Sequence, residues 1–213
     1  MTTTKDELNL NDIKNHMANE LKSNVENLEL YSDNHPFRLS LRIKTFESEA
    51  EYTKFIRNVE TTIRRSIEYR MWKGYIIDVL GIKTCMITNE NIDECSIEVH
   101  HHLPTLFTLV KGLVNKKIEN KEGFSTFDIS LEAIELHFAN KIGYATLIKS
   151  MHEKFHNGFL SIPKELIKGD YMYFINEFSK YLDDTDIELI NVRLATNESN
   201  CEWSRDSYGD SSK

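Results

Sequence analysis

The sequence has few of the residues that mark disulfide-rich, collagen-like or linker-dominated chains. Its 213 residues include 3 Cys, 3 Pro and 8 Gly. Three cysteines cannot all pair and form no CxxC motif, so we expect neither a disulfide framework nor a zinc knuckle. With 40% hydrophobic and 28% charged residues, the composition is typical of a globular fold.

Long apolar runs are also missing. No stretch of about 18 apolar residues exists, so the sequence predicts no membrane span. The opening residues, MTTTKDELNL, lack the basic-then-apolar pattern of a secretory signal. We therefore expect a cytoplasmic protein, and the host cytoplasm if a phage encodes it. The Lys- and Asn-rich composition is compatible with a phage or a low-GC bacterial source.

Charge is distributed unevenly along the chain. The net charge is −8, of which residues 1–35 carry −4 and residues 182–213 carry −5. The middle of the chain is therefore close to neutral, with a basic stretch at 54–73. That stretch predicts phosphate contacts, although a solvated helix face is an equally open interpretation. The acidic ends would suit a partner protein with a basic surface. The candidate nucleic-acid contacts are Arg57, Arg64, Arg65, Arg70 and Lys73.

Hydrophobic periodicity predicts a mostly helical chain with short strands. The first half is expected to contain a helix at 5–29, a strand at 37–46 and helices at 49–64 and 66–80. Residues 82–104 are typical of an irregular hairpin or loop that ends in a strand, and 159–162 of a short strand or extended segment. The remaining predicted helices lie at 105–118, from Ser130 to about Gly143, at 146–157 and at 170–181.

Histidines are concentrated in one region, because six of the eight lie between positions 100 and 156. His152 and His156 are four residues apart, which places both rings on one face of a helix, where they could share a metal ion. In a strand, His100 and His102 would share one face and His101 the other. At a strand end this alternation can break, so that neighbouring rings converge, and a solvated turn is the alternative.

Two of these segments have the form of a nuclease motif. Glu98–Pro104 (EVHHHLP) resembles the E-hydrophobic-H-H-x-x-P segment of HNH nucleases, including the colicin DNases. His152–Gly158 (HEKFHNG) resembles their closing H-x-x-x-H-x-G. Arg64–Trp72 (RRSIEYRMW) is similar to the lead-in of many HNH domains.

The resemblance implies a metal-dependent endonuclease that hydrolyses DNA. His100, His152 and His156 would bind a divalent ion (Mg²⁺, Mn²⁺, Ni²⁺ or Zn²⁺), and His101 would be the general base that activates water. Glu98 would assist catalysis by positioning these groups. DNA would be the substrate, and the oligomeric state stays open.

The implied fold class is α+β, with a ββα-metal core and flanking helices. The expected organisation is an acidic helical segment (1–35), a strand and helical lead-in (36–81), the HNH-like core with a helical insertion (82–160), a helical extension (161–196) and a mobile tail (197–213).

Two alternatives stay open. Gly143 stands where the HNH family carries its middle Asn, and the nearby Asn140 could substitute only if the loop differs. The chain could therefore be a degenerate, non-catalytic scaffold that binds protein or nucleic acid. His152–His156 also reads HExxH, the pattern of zinc proteases in which Glu153 would be the base. An HExxH site would leave the three consecutive histidines without a role.

Overall fold

The computed structural model describes residues 46–91, 96–157 and 159–197. These residues belong to one of the two compact units of the chain, Leu41–Lys213. The helix predicted at 5–29, the strand predicted at 37–46 except Phe46, and the tail beyond Asn197 lie outside the described residues.

Two helices precede the sheet, and both were predicted. Helix α1 (Glu49–Arg65) begins after Ser48, whose side chain accepts a hydrogen bond from the Glu51 N–H. Helix α2 (Ile67–Gly74) is capped in the same way by Ser66 and continues as a π-helical turn at Tyr75–Val79. Gly81 then adopts a φ of 68°, which a residue without a Cβ adopts easily, and the helical run ends. The predictions at 49–64 and 66–80 are confirmed.

A two-stranded antiparallel sheet lies at the centre of the site region. Strand β1 (Ile97–Leu103) pairs with β2 (Gly143–Ile148), and His102 is an extra residue on β1 that forms a β-bulge. The strand predicted at the end of 82–104 is present, but it pairs with the distant β2, so the loop alternative holds and the hairpin alternative does not. Residues 84–91 contribute only a single bridge, Thr84 with Asn91.

Strand β2 corrects the helix predicted at 146–157. All six residues of β2 are buried, so their sequence lacks the alternation that marks a half-exposed strand. The helix begins only at Lys149 and is short (α5, Lys149–His156).

Gly143 explains how closely β2 approaches its surroundings. A Cβ at this position would lie 2.5 Å from the Leu103 carbonyl oxygen and 2.9 Å from the Tyr171 Cβ. Such distances are sterically forbidden, and a backbone oxygen cannot move aside cheaply. The position that would hold the middle Asn of an HNH nuclease therefore has no room for a side chain.

Helices α3 (Leu106–Glu119) and α4 (Thr126–Phe138) separate the two strands in sequence. The prediction at 105–118 is confirmed. Helix α4 begins four residues before the predicted Ser130 and ends before Gly143, because Ser125 and Asp128 form a capping box that fixes its start.

The C-terminal part is helical. Helix α6 (Tyr171–Phe178) continues as a 3₁₀ turn and confirms the prediction at 170–181. A further helix, α7 (Asp184–Ala195), was not predicted, and Asp183 caps its first turn. Residues 159–162 form no strand, and a 3₁₀ turn follows at Lys164–Leu166.

These elements place different surroundings on the two faces of β1. Helices α1, α3 and α4 pack against one another, and side chains of α2 and α4 contact one face of β1. Helix α5 packs against the other face. The α+β class is thus confirmed, with seven α-helices and one small sheet in the described ranges. No helix within those ranges has the length and apolar character that a bilayer crossing needs.

Candidate metal centre

Strand alternation separates the three consecutive histidines. Glu98, His100 and His102 lie on the face of β1 toward α5, since they contact His152 or Phe155. His101 points to the opposite face, where its ring stacks against Tyr69 of α2. The convergence of His100 and His101 that the resemblance required does not occur.

On the α5 side, three imidazoles lie together. One ring nitrogen from each of His100, His152 and His156 lies within 4.8 Å of the others. His152 and His156 are one helical turn apart, and their Nε2 atoms are 2.9 Å from each other. The structure therefore brings together the three residues that were predicted as metal ligands.

Glu98 fixes the orientation of one of these rings. Its carboxylate accepts a hydrogen bond from Nδ1 of His152. This assigns the proton to Nδ1 and leaves the lone pair of Nε2 pointing toward His156. Glu98 is therefore a positioning residue for His152.

His100 is the buried member of the cluster. Its side chain is only 6% exposed, and its Nε2 has no hydrogen-bond partner among the described residues. Burial, together with the neighbouring His152, lowers the pKa of His100 to about 2. A buried nitrogen without a partner typically costs about 1–3 kcal/mol, so a hydrogen-bond donor or a cation beside this nitrogen would stabilise the fold.

His101 belongs to a closed hydrogen-bond chain in the core. Its Nε2 lies 2.7 Å from Nε2 of His137, and its Nδ1 lies 3.4 Å from the Tyr69 hydroxyl. Because the Nδ1 of His137 donates to the Ala133 carbonyl at 2.6 Å, the Nε2 of His137 must accept from His101. Both ring nitrogens of His101 are thus engaged, and neither is free to take a proton from water.

Burial governs the ionisation of this pair. It lowers the pKa of His101 well below its usual value, and a protonated His137 would lower it further. The same burial lowers the pKa of His137 to about 4, although the Ala133 carbonyl opposes the shift. Trp72 packs edge-on against His137, with ring centroids 4.6 Å apart. The pair is a neutral, satisfied part of the core.

His102 is buried beside the cluster without joining it. It is 1% exposed, and neither ring nitrogen has a partner among the described residues. Its ring packs against Phe155, and burial lowers its pKa to about 3. Arg193 of the unpredicted helix α7 donates to the His102 carbonyl.

A cavity of about 450 Å³ opens beside the three histidines. Arg64 and Arg193 line it, together with Glu60 and Phe107. Burial lowers the pKa of Arg193 to about 10, and its guanidinium lies 5.6 Å from the Phe155 ring. Arg193 was not predicted as a site residue because α7 was not predicted, although the acidic start of α7 after Asp183 is a recognisable helix signal.

The residues predicted to contact nucleic acid lie on α1 and α2. Four of them are exposed, and Lys73 is half-buried above the Tyr69 ring. Arg64 lies 3.8 Å from Glu60. Contact between this set and DNA stays a prediction. The exposed members are Arg57, Arg64, Arg65 and Arg70.

Taken together, the fold defines an α+β protein whose sheet separates a histidine cluster from a histidine-containing core. The family of Bacteriophage G278-like virion proteins matches residues 1–210, and the chain belongs to this family. No curated protein and no solved structure matches the chain.

Membership in a virion protein family corrects the functional predictions. The assignment to the HNH nucleases is wrong, and so are the endonuclease and hydrolase activities in which His101 would be the general base. The physical reasons agree, since His101 is held in the core and Gly143 has no space for the missing Asn. The phage source is confirmed.

The family match also corrects the two alternatives, each for a different reason. The zinc-protease alternative is wrong because it too was an enzyme. Glu153, its required base, is exposed on α5 and lies 3.9 Å from Lys149. The scaffold alternative is wrong in its HNH-like identity.

Proposed function

We propose that this chain is a structural component of a phage particle and has no catalytic activity. The observation that carries the proposal is the match of a virion protein family to residues 1–210, nearly the whole chain. The closed hydrogen-bond chain around His101 supports it, because both ring nitrogens of this histidine are engaged within the core.

Exposed apolar pairs on helices support contacts with other proteins of the particle. Phe127 is 74% exposed and has Leu131 one turn further along α4. Ile67 and Met71 form an equivalent exposed pair on α2. Apolar side chains grouped on helix faces are typical of protein–protein contacts. The acidic ends of the chain would add affinity for a partner with a basic surface.

We propose that β1, β2 and α5 together hold the histidine cluster in place. Incorporation into the particle would take place in the host cytoplasm, where phage components are made.

Mass spectrometry of gradient-purified particles tests the structural role. We expect the chain at a fixed copy number relative to the other particle proteins, and resistant to a high-salt wash. A chain that is abundant in infected cells but missing from particles would overturn the proposal. The purified chain should also leave supercoiled plasmid intact with Mg²⁺, Mn²⁺, Ni²⁺ or Zn²⁺, and a His101→Ala variant should behave in the same way.

A further inference from the structure

We propose that His100, His152 and His156 bind one transition-metal ion of the Zn²⁺ class, which fastens α5 to β1. This site stands on the geometry of the side chains and is independent of the role in the particle.

The spacing of the nitrogens suits a single ion. A Zn²⁺ ion binds imidazole nitrogens at about 2.0–2.1 Å, so two ligands in tetrahedral geometry are about 3.4 Å apart. The Nε2 atoms of His152 and His156 are 2.9 Å apart, and all three nitrogens lie within 4.8 Å of one another. Small side-chain rotations would complete the site. They would increase the distance between the Nε2 atoms of His152 and His156 and bring the His100 ring closer to both.

The hydrogen bond from His152 to Glu98 prepares the ring for a metal. A histidine ligand commonly donates its second N–H to a carboxylate, which fixes the tautomer and increases the basicity of the metal-binding nitrogen. Here Nδ1 of His152 donates to Glu98, and Nε2 faces His156. In the structure, the Nε2–H of His156 donates to Nε2 of His152, and a cation would replace this proton, with His156 then carrying its proton on Nδ1.

The buried ring of His100 is a second, independent indication of a metal site. Its Nε2 is buried without a partner, while its ring lies 4.8 Å from the His152 ring and 5.2 Å from the His156 ring, centroid to centroid. Buried polar groups are nearly always paired, so an unpaired nitrogen beside two further imidazoles points to a shared cation.

The ligand set selects the class of metal. Three imidazoles suit Zn²⁺, Cu²⁺, Ni²⁺ or Co²⁺, whereas Mg²⁺ and Ca²⁺ prefer oxygen ligands. Of the ions considered from the sequence, Zn²⁺ and Ni²⁺ therefore fit better than Mg²⁺. The remaining coordination position is open to the adjacent cavity, where a water molecule would complete the shell.

Helix α5 has few other means of attachment. It is eight residues long, its first turn lacks a side-chain cap, and Met151 is its only buried residue. Helices this short are marginal by themselves. A metal ion held jointly by α5 and β1 would anchor the helix through two of its side chains.

Metal titration of the purified full-length chain tests the proposal. After treatment with a chelator, we expect the chain to bind one equivalent of Zn²⁺, measured by calorimetry and elemental analysis. Co²⁺ in its place should give the visible absorption bands of a four-coordinate site. His156→Gln changes an exposed ligand without touching the core, and it should weaken Zn²⁺ binding by at least about 100-fold.

Two further variants make the test specific. Glu98→Gln should weaken binding by about 10–100-fold, as expected for loss of the carboxylate partner. Glu153→Gln, also exposed on α5, is the matched control and should bind Zn²⁺ like the parent chain. The proposal is overturned if the parent chain binds less than a stoichiometric amount of Zn²⁺, or if His156→Gln binds as tightly as the parent.

Discussion

Acidification should destabilise the core through His137. The ring is 1% exposed and packs against Trp72, and burial lowers its pKa in the folded chain to about 4. In the unfolded chain the pKa returns to about 6.5. Between these values the unfolded state binds a proton that the folded state excludes, so stability falls as the pH decreases.

The size of the effect follows from the two pKa values. Full stability is present above about pH 6.5, and the loss continues until the pH falls below about 4. The complete loss from His137 is about 3 kcal/mol, and about 2 kcal/mol of it is reached at pH 5. The groups that face the ring are the aromatic rings of Tyr69 and Trp72, the ring of His101, the Ala133 carbonyl and, further away, the positive charge of Arg64. None of them can neutralise an imidazolium.

Urea unfolding at several pH values measures this loss. The free energy of unfolding should decrease between pH 7.5 and pH 5 in the presence of a chelator, which removes any contribution from metal binding. A His137→Gln variant retains a hydrogen-bonding side chain but has no proton to gain, so its pH dependence should be smaller by about 2 kcal/mol over the same range. Equal pH dependence in the parent and the variant would refute the reasoning.

Two further predictions concern packing and the metal. Gly143→Ala should destabilise the chain by about 1–3 kcal/mol, because its Cβ would lie 2.5 Å from a backbone oxygen. Gly74→Ala in α2 is the control, because its Cβ would meet nothing nearer than 3.7 Å and the change should be neutral or slightly stabilising. Thermal unfolding of both variants measures the difference in stability, and equal effects would contradict the prediction. Free Zn²⁺ at 100 times its dissociation constant should raise the free energy of unfolding by about 2.7 kcal/mol, and a similar gain in His156→Gln would contradict the assignment.

Local signals in the sequence predicted much of the fold. The spacing of apolar residues was sufficient for α1, and the β-prone residues at the end of the 82–104 segment were sufficient for β1. Strand β2 was missed because all of its residues are buried, so the sequence there has neither the period of a strand nor that of an amphipathic helix. Helix α7 was missed although Asp183 marks its start.

Local sequence signals predicted only part of the site. That His152 and His156 share a face follows from helical spacing alone. Their approach to His100 joins residues more than fifty positions apart, and this depends on the pairing of β1 with β2, which no local pattern encodes. The HNH resemblance reproduced the spacing of the histidines, but spacing does not determine which face of a strand each ring occupies.

The register of β1 decides what each histidine does. His100 pairs with Ala145 and His101 with Tyr144, and the bulge at His102 follows before Leu103 meets Gly143. A slip of one residue would exchange the two faces, placing His101 toward α5 and His100 against Trp72. Close packing at Gly143 opposes such a slip, because the Leu103 carbonyl fits only against a residue without a side chain. The same contact that excludes the nuclease Asn therefore keeps one histidine in the core and its neighbour in the cluster of His100, His152 and His156.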